Sequence, residues 1–342
     1  MRFAHGGEIQ SAALRLGISQ RQVLDASASL APWTPRLRIT RHSLRDYPDR
    51  LQGALRQAIA RIHGLESDQV LPGNGAAELF TWAARDAATH GCSELIAPGF
   101  ADYQRALDCW DAKWHSNPLN LSFAGAFPQP FPRLIASDVL WICNPHNPTG
   151  QLWSRASLEP LLSRYSLVIC DEAFLSLVPD GESQSLIPLL AQHPNLVVIR
   201  SLTKLFGLAG VRLGYALGDP ERLQRWARWR DPWPVNGVAL AMGQQLLSHP
   251  RRYQRWCERV QRWVAQEGRW LHQQLMLLPG LTPMPSAANY FLIQGDGSLV
   301  PLRERVEQRD LVLLRDCRSF EGLGERWLRI GLQDRRGNQR IL

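Results

Sequence analysis

Short, largely apolar runs that alternate with helical patterns constrain the fold of this chain more than any other feature. The runs lie at residues 94–97, 139–143, 167–170, 196–199 and 213–216. Their apolar residues do not alternate with polar ones, so they suit strands buried on both faces of a mostly parallel sheet. Helical patterns at residues 51–63 and 75–89 precede them. We therefore expect an α/β fold in which helices cover a mostly parallel sheet.

The pattern changes in the C-terminal part of the chain. A long helical stretch covers residues 238–278 and is followed by apolar runs at 289–293, 311–314 and 327–331, with a helical pattern near 302–309. This order indicates a smaller α+β domain. The first forty residues are expected to be irregular. We predict an N-terminal segment that joins the small domain, a large cofactor-binding domain and a C-terminal small domain, at residues 1–40, 41–235 and 236–342.

Composition excludes several classes of protein. No run of about 18 apolar residues occurs, and the N-terminus lacks the apolar core of a signal peptide, so a cytoplasmic protein without a membrane span is expected. The six cysteines are scattered without a CxxC pair, which suggests neither a metal site nor a disulfide framework. The net charge is +8, but the arginines are spread out without a nucleic-acid-binding motif. We interpret them as a solvated surface whose field attracts phosphorylated small molecules.

Polar motifs follow three of the predicted strands. The chain has Asn144-Pro-His-Asn-Pro-Thr-Gly150 after one strand, Asp171-Glu-Ala-Phe174 after the next and Ser201-Leu-Thr-Lys204 after the third. Ligands of open α/β sheets bind at the carboxyl ends of the strands. Each motif alone is a weak signal, but their order along the chain favours one shared site.

Lys204 is the most informative residue of these motifs. The chain has 39 lysines and arginines, of which only Lys113 and Lys204 are lysines. Arginine stays protonated in proteins, whereas a desolvated lysine near another cation, such as Arg212, can attack an aldehyde and form a Schiff base. Lys204 is therefore a candidate for the lysine that binds pyridoxal 5′-phosphate (PLP). The alternative is a surface lysine in a glycine-bearing loop.

With these motifs, the chain resembles fold-type I PLP enzymes of the aspartate aminotransferase superfamily. It is most similar to the branch that contains histidinol-phosphate aminotransferase and L-threonine-O-3-phosphate decarboxylase. The resemblance extends from about His5 to Gly331 and includes His5-Gly-Gly7, Tyr47-Pro-Asp49, Gly73-Asn-Gly-Ala-Ala-Glu78, Pro98-Gly-Phe-Ala-Asp-Tyr103 and Leu314-Arg-Asp-Cys317. It implies an aspartate-aminotransferase-like fold, PLP as cofactor and a homodimer with shared active sites.

The resemblance also implies roles around the cofactor ring. Asp171 faces the ring nitrogen and keeps it protonated, which makes the ring a better electron sink. Asn147 donates to the ring oxygen, and Phe100 stacks on the ring face. The alternatives are a helix-capping Asp171, an Asn-Pro turn at Asn147 and a core Phe100.

Further residues match positions that bind phosphate or substrate in this branch. Helix N-termini with small residues bind anions, and hydroxyls and an arginine add donors. The candidates for the cofactor phosphate are Gly75, Ala76, Ala77, Ser201, Thr203 and Arg212, with Tyr47 reaching the site of the neighbouring subunit. The candidates for substrate are Arg315 and Arg329, which bind a carboxylate, and His5, which lies near a phosphate. From spacing alone, either arginine is a surface residue.

The resemblance implies decarboxylation of L-threonine O-3-phosphate to (R)-1-amino-2-propanol O-2-phosphate for cobalamin biosynthesis. Three features lean this way: Phe174 in place of the usual tyrosine, His5-Gly-Gly7, and Pro232-Trp-Pro-Val-Asn236. One alternative is an aminotransferase that acts on histidinol phosphate or another amino acid. A second alternative is a non-catalytic PLP-binding protein, although Lys204, Asp171 and Arg212 are all present.

Some positions depart from the branch pattern. The usual Ala-Asn-Ile-Asn-Pro segment is replaced by Ala28-Ser-Leu-Ala-Pro32, which lacks both asparagines, and Glu8 stands where Asn or Asp is common. The chain is also expected to lack part of the family's last helix, since it ends at Leu342. These departures bear on the substrate more than on the cofactor.

Overall fold

The computed structural model describes residues 5–121, 125–132 and 137–342. The first four residues of the predicted N-terminal segment, and residues 122–124 and 133–136 of the predicted large domain, lie outside the described residues. In the described part of the chain, the strands are β1 Leu24–Ala26, β2 Val70–Asn74, β3 Ser93–Ala97, β4 Trp114–Pro118, β5 Val139–Cys143, β6 Leu167–Asp171, β7 Leu196–Ser201, β8 Leu213–Gly218, β9 Leu281–Pro283, β10 Tyr290–Gly295, β11 Val312–Asp316 and β12 Trp327–Gly331.

Helices connect most of these strands. The α-helices of the described residues are α1 Ile9–Leu16, α2 His42–Arg45, α3 Gly53–His63, α4 Gly75–Ala88, α5 Ala101–Asp108, α6 Arg155–Leu158, α7 Leu202–Phe206, α8 Pro220–Trp229, α9 Gly237–Leu247, α10 Pro250–Leu275, α11 Val300–Asp310 and α12 Arg335–Ile341. None of them, within the described ranges, combines the length and apolar character that crossing a lipid bilayer requires.

The larger sheet has the strand order β2-β8-β7-β6-β5-β3-β4. Strands β4, β3, β5, β6 and β7 run parallel, and β8 is antiparallel to both of its neighbours, β7 and β2. The prediction of a mostly parallel sheet is therefore confirmed. The edge strands β2 and β4 contain proline, glycine and polar residues and carry no apolar run that predicts them.

Both faces of this sheet are buried, which explains why its strands are apolar without alternation. In β5, Leu140 and Ile142 pack into one hydrophobic core, whereas Val139, Trp141 and Cys143 pack into another on the opposite face. Every residue of β5 is buried as a result. The carboxyl ends of β5, β6 and β7 thus meet at one edge of a rigid, fully covered sheet.

The smaller sheet has the strand order β1-β11-β12-β10-β9. Strand β1 pairs parallel with β11, and the remaining pairs are antiparallel. Residues 24–26 near the N-terminus therefore pair with strands from the C-terminal part of the chain. Arg315 of β11 lies opposite Arg329 of β12 in the register. The predicted domain boundaries stay predictions.

The expectation that the first forty residues are irregular is wrong. Residues 9–16 form the helix α1, which Gly17 ends in the left-handed conformation at φ 66°, where glycine carries no steric cost. The predicted long helical stretch is confirmed, and it consists of two helices, since α9 ends at Leu247 and α10 starts at Pro250. Proline at the first helical position lacks only an N–H that has no partner in the helix, so it favours a new start there.

Candidate active site

A cavity of about 360 Å³ lies where the carboxyl ends of β5, β6 and β7 face the smaller sheet. The three motifs of the sequence meet in it, with Asn147 after β5, Asp171 at the end of β6 and Lys204 just beyond β7. The predicted site residues that line it are His5, Ala76, Ala77, Phe100, Asn147, Asp171, Ser201, Thr203, Lys204, Arg212, Arg315 and Arg329. Gly75 and Tyr47 are not among its lining residues.

Lys204 lies on α7, a short helix that begins as soon as β7 ends. The Ser201 side chain accepts a hydrogen bond from the Thr203 backbone N–H at 3.3 Å and so caps this helix. The Lys204 Nζ lies 5.4 Å from the centre of the Phe174 ring, which carries no hydroxyl. Burial lowers the Lys204 pKa to about 8, and the charges of Arg329 and Arg212 act in the same direction. A larger share of the amine is therefore neutral and nucleophilic near neutral pH.

Asp171 is buried at the end of β6. Its Oδ2 accepts a hydrogen bond from the Tyr103 hydroxyl at 2.5 Å, and its Oδ1 accepts one from the Ala173 backbone N–H at 2.9 Å. Burial raises the pKa of this carboxyl to about 6, against the lowering effect of those hydrogen bonds and of Lys204. Because each carboxylate oxygen can accept two hydrogen bonds, the group retains capacity for a donor in the cavity.

An anion cradle forms at the N-terminus of α4. This 14-residue helix starts at Gly75, and Ala76 and Ala77 line the cavity. Because these residues are small, their backbone N–H groups, which have no partner within the helix, stay accessible to an anion. Gly75 has φ +75°, and a Cβ there would lie 2.5 Å from Nη2 of Arg212. Gly75 thus lets the Arg212 guanidinium approach the helix N-terminus without itself lining the cavity.

Two arginines of the smaller sheet line the cavity across from the residues that follow β5, β6 and β7. Arg329 donates from Nη1 to Oδ1 of Asn147 at 2.5 Å and from Nη2 to the Ser27 carbonyl at 2.9 Å. Its bond to the Asn147 oxygen leaves the Asn147 amide nitrogen as the end that can donate into the cavity. Arg315 donates to Ser319 at 2.7 Å. Burial, then the charge of Arg329, lowers the Arg315 pKa to about 10, so both guanidinium groups stay charged at neutral pH.

His5 lines the cavity close to Phe100 and Asp102. Its ring is 5.7 Å from the Phe100 ring, and its pKa is lowered, chiefly by burial and against the raising effect of Asp102. Asp102 is buried, its Oδ1 accepts a hydrogen bond from Arg105, and its Oδ2 has no partner among the described residues. Sequence reasoning assigned no role to Asp102 or to Tyr103, the partner of Asp171, although both belong to the motif Pro98-Gly-Phe-Ala-Asp-Tyr103 that the resemblance includes.

Tyr47 lies outside the cavity on the surface of this chain. Its side chain is 81% exposed, and its ring stacks on that of Trp233 with 4.6 Å between centres. An exposed tyrosine in an apolar setting is available to a neighbouring molecule. Its predicted reach into the site of a second subunit stays a prediction.

Comparison with known proteins assigns the chain to a family. The family model for aminotransferase class I and II matches residues 16–342. Threonine-phosphate decarboxylase of Salmonella typhimurium is 34% identical over 99% of this chain and 94% of that protein. Histidinol-phosphate aminotransferase of Methanothermobacter thermautotrophicus is 27% identical over 99% of this chain and 92% of that protein. The crystal structure of histidinol-phosphate aminotransferase from Sinorhizobium meliloti in complex with pyridoxal-5′-phosphate is similar with a TM-score of 0.79, at 18% identity over 98% of this chain and 92% of that one.

The chain belongs to the class I and II aminotransferase family. The predicted aspartate-aminotransferase-like fold is thereby confirmed, and the cofactor is PLP. The residues present fit that group: an amine of lowered pKa, an anion for the ring nitrogen and a phosphate cradle in which a Cβ at Gly75 would fill the space that Arg212 occupies. We propose that Lys204, Asp171, and α4 with Arg212 supply these three parts.

Proposed function

We propose that this PLP-dependent enzyme decarboxylates L-threonine O-3-phosphate to (R)-1-amino-2-propanol O-2-phosphate, a reaction of cobalamin biosynthesis. The similarity to the Salmonella decarboxylase over nearly the full length of both proteins supports this reaction. The six free cysteines suit a reducing compartment, so a cytoplasmic location is part of the proposal.

The observation that carries the proposal is the excess of cationic groups in the cavity. Lys204, Arg212, Arg315 and Arg329 line it, against the carboxylates of Asp102 and Asp171. In the cofactor-bound enzyme, Arg212 is committed to the cofactor phosphate. Arg315, Arg329 and His5 line the part of the cavity that we propose for the substrate. Such a set suits an amino acid that carries a phosphate, which adds about two negative charges to the carboxylate.

The chain's own residues bind the substrate and transfer a proton in this reaction. When bound, the cofactor supplies an electron sink for the electron pair released at the α-carbon of the substrate. Arg315 and Arg329 bind the carboxylate and so orient the α-carbon of the substrate in the cavity. Lys204 can return a proton to the α-carbon after carbon dioxide leaves, since its pKa of about 8 lets it hold that proton near neutral pH.

The first test is the reaction of purified holoenzyme with L-threonine O-3-phosphate. We expect release of carbon dioxide in step with loss of substrate, while the visible absorbance of the bound cofactor persists. A matched assay replaces the substrate with L-threonine, which lacks the phosphate. An equal rate with L-threonine would contradict the role given to the excess positive charge, and absence of carbon dioxide with either compound would contradict decarboxylation.

The second candidate function is amino transfer from histidinol phosphate or another amino acid. The similarity to the Methanothermobacter aminotransferase favours it. An aminotransferase converts the bound cofactor to its amine form without releasing carbon dioxide, and a 2-oxo acid then restores it. A non-catalytic PLP-binding protein would show neither change. The same spectra, recorded with histidinol phosphate, therefore separate all three functions.

A homodimer with shared active sites is part of the proposal. Four exposed apolar side chains lie within residues 39–51, and one of them, Tyr47, stacks on the exposed Trp233. We call this set the apolar ridge: Ile39, Leu44, Tyr47, Leu51 and Trp233. Exposed apolar surface marks interaction sites. We propose that a second copy of the chain covers the apolar ridge. In that dimer, Tyr47 would contact the cofactor phosphate of the neighbouring subunit.

We expect the wild-type protein to sediment at twice the 38.7 kDa mass of the chain. Leu51→Asp places a charge in the apolar ridge and should produce monomers that bind PLP more weakly. The matched control is Leu277→Asp, because Leu51 and Leu277 are both 75% exposed and Leu277 lies outside the ridge. A monomeric wild-type protein, or dissociation by both variants alike, would count against this dimer.

A further inference from the structure

Among the described residues, Tyr103 provides the only hydrogen bond from α5 to Asp171, the carboxylate proposed to face the cofactor nitrogen. Its donor and acceptor atoms are 2.5 Å apart, and both side chains are buried. Tyr103 does not line the cavity, whereas Asp171 does. The hydrogen bond to Asp171 therefore links Tyr103 to a polar group that does line the cavity.

Aromatic rings hold Tyr103 in one orientation. The centre of its ring lies 5.1 Å from that of Phe80, 5.5 Å from that of Phe100 and 5.4 Å from that of Trp141. Phe80 and Phe100 stand nearly perpendicular to it, the edge-to-face geometry that aromatic pairs favour. The hydroxyl is thus directed at Oδ2 of Asp171 before any ligand binds, and little conformational entropy is lost in keeping it there.

Tyr103 has one proton to give, and its surroundings keep that proton in place. Burial raises the Tyr103 pKa well above its ordinary value, and the charge of Asp171 adds to the shift. An ionised carboxylate can only accept, so the protonated phenol is the donor in this pair, and a hydrogen bond to a charged acceptor favours the charged form. Tyr103 therefore opposes the effect of burial, which alone favours the neutral acid at Asp171.

We propose that Tyr103 is a positioning residue that keeps Asp171 ionised and aimed at the cofactor nitrogen. The backbone N–H of Ala173 fixes the other oxygen, so the two donors together define the plane of the carboxylate. The inference deepens the proposed function, but it concerns the cofactor rather than the substrate. It holds equally for a decarboxylase and for an aminotransferase.

The direction of the pH effect follows from the direction of the hydrogen bond, in which Tyr103 donates and Asp171 accepts. Tyr103 lowers the Asp171 pKa, so removal of its hydroxyl raises that pKa. As the pH falls, Asp171 is then protonated, and so neutral, already at a higher pH than in the wild type. The cofactor nitrogen then loses its anion at a higher pH as well. The other titratable groups that interact with Asp171 are Cys143, Cys170, Glu172, Lys204 and Tyr290. All of them stay in place in a Tyr103→Phe variant, which isolates the contribution of one hydroxyl.

The test is a pH titration of the cofactor absorbance and of PLP affinity in Tyr103→Phe holoenzyme, without substrate. A hydrogen bond to a charged group contributes about 1.5–3 kcal/mol, equivalent to roughly one to two pKa units or about a tenfold to hundredfold change in affinity. We expect the acid-side midpoint of the absorbance titration to move to higher pH by about one pH unit. We expect the dissociation constant for PLP to rise about tenfold.

The matched control is Tyr165→Phe. Tyr165 and Tyr103 are both 5% exposed, and the Tyr165 hydroxyl donates to a buried carboxylate, Oε2 of Glu94, at 2.7 Å. Neither Tyr165 nor Glu94 lines the cavity, so this variant loses a comparable hydrogen bond with no route to the cofactor. We expect its midpoint and PLP affinity to stay at wild-type values. Equal shifts in both variants, or none in Tyr103→Phe, would overturn the proposal.

A double-mutant cycle with Asp171→Ala, which removes the acceptor as well as the charge, tests whether Tyr103 acts through Asp171. If Tyr103 acts only through Asp171, its removal changes nothing further once the carboxylate is gone, so the two effects are strongly non-additive. Additive effects would show that Tyr103 reaches the cofactor by another path. These readouts need no turnover, so they separate failure of this inference from failure of the proposed reaction.

Discussion

Lys204→Ala is expected to abolish the covalent attachment of PLP and to reduce kcat by at least about a thousandfold, since the loss of a group that transfers protons alone costs about 10²–10⁴-fold. The same amine carries two tasks, attachment of the cofactor and proton transfer, so no second residue compensates. Lys204 lies in the cavity with a pKa lowered to about 8. Turnover with L-threonine O-3-phosphate, and the visible spectrum after addition of PLP, measure the two losses separately.

The chain provides its own control for this prediction. Lys113 is the other lysine in the sequence, and it is exposed and does not line the cavity. Lys113→Ala should keep both the spectrum and the activity. Reduction of wild-type holoenzyme with borohydride, followed by peptide mass spectrometry, should locate the cofactor on Lys204 alone. Label on Lys113, or a Lys204→Ala protein that keeps more than a tenth of wild-type kcat, would remove Lys204 from its role.

The parts of the site that local sequence determines could be predicted from sequence. A buried apolar strand followed at once by a polar motif needs no knowledge of distant residues, and Asn147, Asp171 and Lys204 were found that way. Their convergence follows from the parallel order of β5, β6 and β7, whose carboxyl ends share one edge. The helix α1 was missed, although its apolar spacing and the glycine that ends it were visible in the sequence.

The parts that depend on distant contacts could not be predicted in this way. Tyr103 and Asp171 are 68 positions apart, and Arg329 and Asn147 are 182 apart. No periodicity links such residues, because a tertiary fold brings them together after the local elements have formed. In a chain so rich in arginine, spacing also does not distinguish the paired Arg315 and Arg329 from arginines on the surface.

Arg329→Ala is expected to lower kcat/KM for L-threonine O-3-phosphate by about a hundredfold or more, or about 3 kcal/mol, the contribution of hydrogen bonds to a charged group. Arg329 is buried, and its Nε has no hydrogen-bond partner among the described residues. A carboxylate placed there would gain a donor that the protein itself leaves unsatisfied. Arg329→Lys should restore less than about a tenth of the loss, because an ammonium cannot form the planar, bidentate pair.

The product amine distinguishes carboxylate binding from a general disturbance of the site, since Arg329 also holds Asn147 and the Ser27 carbonyl. (R)-1-Amino-2-propanol O-2-phosphate carries the phosphate and the amine of the substrate but no carboxylate. If Arg329 binds the carboxylate, Arg329→Ala weakens binding of the substrate and leaves binding of this product within about threefold of wild type, because the lost hydrogen bonds exist only with the substrate. Arg318→Ala, which removes an exposed arginine paired with Asp316, should change neither. An equal loss of affinity for substrate and product would instead assign Arg329 to the support of Asn147.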